Sequence, residues 1–195
     1  MNYLAHTHLS FASADLLMGN MISDFVKGKK QYDYPESIQK GIRLHRAIDQ
    51  FTDTHPSTQA ISRFFKSAYR LYAGAFTDIV YDYFLANDAS QFDSDKSLLK
   101  FTLDSYALME SNETWMDPVF RTMFPYMKDQ NWMYHYRKEE GIRKSFEGLR
   151  RRAKYITETD TAFSIFITHK KEMEPYYERF YPSVKKFAKE FILKG

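Results

Sequence analysis

The chain has 195 residues, 44% of them hydrophobic and 27% charged, and a formal net charge of +3. That balance excludes a disordered chain, and so small a basic excess does not by itself argue for nucleic acid. Cysteine is absent, which excludes disulfides and thiolate-held metals, so any metal site must use His, Asp and Glu.

The opening MNYLAHTHLSF has no basic n-region and no long apolar run, so no signal peptide is expected. No stretch approaches the roughly 18–20 apolar residues of a membrane span. A cysteine-free chain suits the reducing cytoplasm. The length suits one domain. Aromatic residues make up 17% of the chain, so the core should be rich in flat, bulky side chains. Val-rich alternating runs are few and Asn-Gly hairpin turns are missing, whereas helical periodicity recurs throughout. An all-α fold follows.

In chain order, a short helix is expected over about 3–12 and a second over about 14–27, stopped by Gly28. Asp33 and Pro35 open a third, which runs to about 53. Thr54 and Pro56 break it and start a fourth, about 57–70. A fifth covers about 74–87. Asp93 or Ser94 caps a sixth, which ends near 111. From Trp115 to Trp132 the chain carries Pro118 and Pro125, so short helices and turns are expected. A seventh helix covers about 138–155. Thr157 with Asp160 resembles a capping box for the eighth, about 158–180, and Pro182 starts a last one.

Three of these helices carry polar pairs in or beside an apolar face. In the third, Ile38, Ile42, His45, Asp49 and Thr52 share one face. In the second, Leu17, Met21 and Asp24 share a stripe, and Asn20 lies one turn before Asp24. In the fifth, Ala75, Asp78, Asp82 and Leu85 do the same. The pairs Asn20/Asp24, His45/Asp49 and Asp78/Asp82 all have i, i+4 spacing. A buried carboxylate without a partner costs several kcal/mol or takes up a proton. Several of them on core-facing stripes need a compensating charge, which a divalent cation would supply. Side chains at i, i+4 point at one spot, as chelation requires. A His/Asp set favours Mn²⁺, Mg²⁺, Fe²⁺ or Zn²⁺. The competing interpretation of any single pair is an ion pair or a cap, with Arg43 and Arg46 as partners.

His6 and His8 would point about 200° apart on a helix, so only one could face a given metal there. In an extended segment they would share a face. His6 is the preferred ligand. His55 reaches the site from a helix end or is a loop residue. His135 and His169 lie among Tyr and Lys and are read as structural. Arg150, Arg151, Arg152 and Lys154 form a late basic run: a solvated face, or a dock for an acidic partner. The P-loop, G-x-G-x-x-G, G-x-S-x-G and H-E-x-x-H motifs are all missing.

The segments MNYLAHTHL, GNMISDFVKG, GIRLHRAIDQFTDTH and DIVYDYFLA, in that order, resemble the acyl carrier protein phosphodiesterase family. NWMYHYR and LRRRA resemble its C-terminal half. The resemblance implies an HD-hydrolase-like helical bundle and a divalent metal, Mn²⁺ or Mg²⁺. It also implies hydrolysis of the phosphodiester joining 4′-phosphopantetheine to a serine of acyl carrier protein. Asp24, His45, Asp49, Asp78 and Asp82 are carried over by motif position. Where the family often has Asp-His-Phe-Leu, this chain has Asp82-Tyr83-Phe84-Leu85.

On this basis Asp24, His45, Asp49, Asp78 and Asp82 are expected as metal ligands, with His6 a further candidate. Asp24, His45, Asp49 and Asp82 are expected to serve catalysis, with Asp24 or Asp82 orienting the attacking water. Arg43 or Arg46 would stabilise phosphate charge. The acidic carrier protein would be the partner, with neither nucleic acid nor membrane involved. The rival enzyme is an HD-type nucleotide phosphohydrolase. The rival from another class is a non-catalytic helical binding module for an acidic partner.

Overall fold

The structure, a computed structural model, describes residues 1–194. The helices are α1 (Tyr3–His8), α2 (Ala14–Ile22), α3 (Glu36–Thr54), α4 (Pro56–Tyr69) and α5 (Ala73–Ala86), followed by α6 (Asp95–Ser111), α7 (Pro118–Asp129), α8 (Trp132–His135), α9 (Glu139–Arg152) and α10 (Asp160–Lys194). No strand occurs among the described residues, as the periodicity predicts. No described helix is long and apolar enough to cross a membrane.

α2 and α3 pack closely, and two glycines explain how. A methyl group on Gly19 would lie 2.1 Å from the Ile38 carbonyl oxygen, and one on Gly41 would lie 2.5 Å from that of Leu16. The absence of both Cβ atoms lets the two backbones touch. α3 buries Ile38, Ile42, Leu44, Ile48 and Thr52 on this side, and His45 lies among them. Its predicted face is therefore its buried face.

Aromatic residues fill the rest of the core, as their abundance predicts. Phe65, Phe76 and Phe146 interlock where α4, α5 and α9 meet. Tyr81 stacks on Phe180 at 4.4 Å and ties α5 to α10. Ser94 caps α6 in a capping box with Ser97.

Several boundaries differ from the sequence prediction, among them α1, which ends at His8 rather than near residue 12. α2 stops at Ile22, not near residue 27. The Phe25 and Val26 amides bond back only three residues, to Ile22 and Ser23, and this tighter turn carries Asp24 out of the helix. Gly28 instead opens a 3₁₀ segment, Gly28–Asp33, with φ of +54°. α10 starts at Asp160, where the Glu158 carboxylate, not Thr157, accepts the Thr161 amide.

The last two predicted helices are one. α10 continues through Pro175 and Pro182. An interior proline costs about 3 kcal/mol. Against that, α10 buries Phe166, Met173, Tyr177, Phe180, Tyr181 and Val184, each contributing about 1.5–3 kcal/mol. Burial on both sides of each proline outweighs the break.

Candidate metal centre

His6 and His45 come from different helices and meet face to face, with ring centroids 4.0 Å apart and planes 13° from parallel. Both are buried. Asp49, one turn beyond His45, sets one carboxylate oxygen 3.1 Å from His6 Nε2 and the other 3.0 Å from His45 Nε2. Asp24 comes across from the turn after α2, with an oxygen 3.3 Å from His45 Nε2. Asp24 is largely exposed and stands at the mouth of a cleft of about 330 Å³, whose wall also holds His45, Asp49, Lys27 and Arg46.

α1 is helical, so its two histidines diverge. His6 enters the cluster, whereas His8 points into a cage of Phe92, Phe101 and Tyr181, whose hydroxyl lies 2.6 Å from His8 Nδ1. His55 accepts the Ser57 amide at the start of α4 and takes no part in the cluster. His169 pairs with Glu172. Arg43 pairs with Glu36, while Arg46 donates to Gln31 and the Val26 carbonyl at the cleft wall.

The two aspartates of α5 have other partners. Asp78 lies 3.2 Å from the Met1 amino group, which is also 3.2 Å from Asp49. Asp82 accepts the Leu4 and Ala5 amides at 2.8 and 3.1 Å. Asp82 is thus not brought into the histidine cluster. It pins the start of α1, the helix that presents His6, and satisfies backbone donors a helix start leaves open. Tyr83 packs on Phe166 with its ring centroid 5.0 Å away, so this departure from the family pattern touches neither histidine.

The charges are uneven. Burial disfavours an imidazolium at His45, but the Asp24 and Asp49 carboxylates outweigh it and hold its pKa up at about 9. Burial and the facing His45 push His6 down to about 4. Asp49 lies far below the usual carboxylate range: burial would raise it, but the Met1 amino group and both histidines prevail. Burial pushes Asp82 up to about 7, against the pull of its two amide donors.

That last shift has a sign that can be checked. A carboxyl raised from 3.8 to about 7 favours the folded state fully below pH 4, and the contribution fades as pH climbs through 7. The metal-free protein should therefore have a lower urea midpoint at pH 8 than at pH 5, and Asp82→Asn should flatten that difference. An equal pH slope in the two proteins would show that Asp82 is not its source.

Among the described residues, His6, His45 and Asp49 form the group that could hold a metal ion, offering ligand atoms within 4.8 Å of one another. His45 Nε2 is buried and has no hydrogen-bond partner, although two carboxylates stand beside it. A cation, either a metal ion or the ring's second proton, satisfies a ring nitrogen that faces acceptors in this way. Two imidazoles and a carboxylate suit a borderline first-row cation better than Mg²⁺, which prefers oxygen alone.

The model of the family described as acyl carrier protein phosphodiesterase matches residues 1–184. The chain belongs to that family. It is similar to the acyl carrier protein phosphodiesterase of Photorhabdus laumondii, 29% identical over 93% of this chain and 92% of the relative. It is likewise similar to the Klebsiella pneumoniae protein of that name, 30% identical over 96% and 97% of the two chains. The Serratia proteamaculans protein is 28% identical over 97% and 98%. No solved structure matches. In this family member the two motifs of greatest interest, GNMISD and LHRAID, face each other across the α2–α3 contact.

Asn20, absent from the predicted ligands, is the residue the sequence undervalues. It is fully buried and touches both histidines. Its spacing to Asp24 is a helical signal, but only the packing of α1, α2 and α3 reveals what it holds.

Proposed function

We propose that this protein is a metal-dependent phosphodiester hydrolase that releases 4′-phosphopantetheine from the serine of holo acyl carrier protein. The family match over residues 1–184 supports the substrate. The observation that carries the chemistry is the orphaned His45 Nε2 among Asp24, Asp49 and His6. His6, His45 and Asp49 would hold the cation, and Asp24, at the open edge, would complete the site or orient water.

When bound, a divalent cation supplies Lewis-acid polarisation of a phosphoryl oxygen and lowers the pKa of water. The chain's own residues do the rest. Asp24 is a carboxylate exposed to the cleft, held below its ordinary pKa by the neighbouring His45. It can therefore accept a proton from the attacking water. The water oxygen bonds to phosphorus as the phosphorus–oxygen bond to serine breaks, and the serine oxygen takes up the proton that the water gave to Asp24. Arg46 and Lys27, on the cleft wall, face the phosphate charge.

The partner is acidic, and two basic runs are placed to receive it. Lys27, Lys29 and Lys30 are exposed beside the cleft. In the late run, Arg150 is paired with Glu147, which offsets one of its charges. Reversing Lys29 and Lys30 to Glu should raise KM for holo carrier protein several-fold with little change in kcat, and added salt should erase the difference. An unchanged KM at low salt would move the dock elsewhere. Such a substrate supports a cytoplasmic location.

The deciding assay incubates holo carrier protein with the enzyme and Mn²⁺ and follows the mass of the carrier protein. Loss of the phosphopantetheine group is expected. An intact carrier protein, with guanosine polyphosphate hydrolysed under the same conditions, would favour the nucleotide phosphohydrolase.

A further inference from the structure

The hydrogen bonds around Asn20 determine which way its amide points and so what it offers to the two histidines. Asn20 Nδ2 lies 2.9 Å from the His6 carbonyl oxygen and 3.1 Å from Ser10 Oγ. A backbone carbonyl can only accept, and Ser10 already donates its hydroxyl proton to it at 2.9 Å. The NH₂ group of Asn20 must therefore point that way, which leaves Oδ1 facing the imidazoles. Oδ1 is 2.8 Å from His6 Nδ1 and 3.1 Å from His45 Nδ1. A carbonyl oxygen has two lone pairs and accepts from both rings.

A neutral ring that donates to Oδ1 has its proton on Nδ1 and a bare lone pair on Nε2. His6 Nε2 faces the Met1 carbonyl oxygen and Asp49 Oδ1, both at 3.1 Å. His45 Nε2 faces Asp49 Oδ2 and Asp24 Oδ1. Lone pairs converging on lone pairs repel unless a cation lies among them. We propose that Asn20 is a positioning residue: one buried side-chain oxygen locks both imidazoles in the Nδ1–H tautomer and so presents both Nε2 atoms as ligands. Outer-shell partners of ligating histidines usually act on one ring each; here one amide serves two rings from two helices. The orientation of the Asn20 amide follows from hydrogen bonds alone, while the choice of Nδ1–H over Nε2–H, which also faces acceptors, rests on the metal reading above.

The test records long-range ¹H–¹⁵N correlations of the histidine rings in metal-free protein at pH 10, where each ring carries one proton. In the unmodified protein His6 and His45 should both show the Nδ1–H pattern, and an Nε2–H pattern at either would overturn the proposal. In Asn20→Leu, of similar size but without an acceptor, at least one ring should change to Nε2–H. Both rings keeping Nδ1–H in the folded variant would also overturn it. Ser10→Ala leaves both ring bonds intact and should leave both tautomers unchanged. Titration with Mn²⁺ alone should show roughly 10–100-fold weaker binding by Asn20→Leu, and an affinity within twofold of the parent would count against the role. Should the parent bind no divalent cation, the metal reading fails, and the ring correlations still decide the tautomers.

Discussion

Asp49→Ala lowers release of phosphopantetheine by at least about a thousandfold and leaves the chain folded. Asp49 ties three members of the cluster together, reaching His6 Nε2, His45 Nε2 and the Met1 amino group. Its carboxylate is the anionic member of the His6, His45, Asp49 group. A metal's transition-state stabilisation is worth several kcal/mol, and each 1.36 kcal/mol is about tenfold in rate, so losing about 4 kcal/mol gives the stated factor. Folding should survive because Asp49 is partly exposed and the amino group keeps Asp78. The measurements are single-turnover release by mass spectrometry, bound Mn²⁺ per chain, and thermal unfolding. Activity within tenfold of the parent with an undiminished Mn²⁺ content would remove Asp49 from the site. A chelator should silence the parent enzyme in the same assay, and Mn²⁺ should restore it.

Gly19→Ala destabilises the protein by about 3 kcal/mol, at the upper end of the cost of overpacking a core. The added methyl would sit 2.1 Å from the Ile38 carbonyl oxygen and 2.8 Å from the Ile42 nitrogen. Both are helix backbone, which cannot swing aside as a side chain can, so α2 and α3 must separate. Separation also strains the site, because Asn20 is the next residue and its 3.1 Å bond to His45 spans the same contact. A melting temperature lower by roughly 6–12 °C is expected for a chain of this size, together with weaker Mn²⁺ binding. Gly148→Ala is the matched control. It lies inside α9 with nothing within 4 Å of the new methyl, so it should stabilise by about 0.5–1 kcal/mol. If both variants melt together, the close approach of α2 and α3 is not what the glycines provide.

Local patterns in this chain carry a great deal. The buried face of α3 is legible because the 3.6-residue repeat is written in the order of its residues, and His45 and Asp49 share that face for the same reason. That His6 and His8 diverge also follows from helix geometry once α1 is helical, whereas packing decides that His6 is the one on His45. The α10 prolines mislead because a proline signals a break through its own local cost, whereas the Tyr and Phe side chains that override it act through α4, α5 and α9.

The sequence by itself determined the all-α class, the family, and the pairs of side chains that each helix offers on one face. Tertiary structure alone decided which of those pairs meet. Asp82 faces the amides of α1, Asp78 faces the Met1 amino group, and Asp24 leaves its helix to stand at the cleft mouth. Asn20, an unremarkable polar residue in the sequence, becomes the bridge between two histidines. The physical reason is one of range. Spacing along a helix sets the relative direction of neighbours on that helix, while the partner each one finds depends on the rotation and approach of other helices. Here that approach is set by two glycines whose missing side chains allow α2 and α3 to touch.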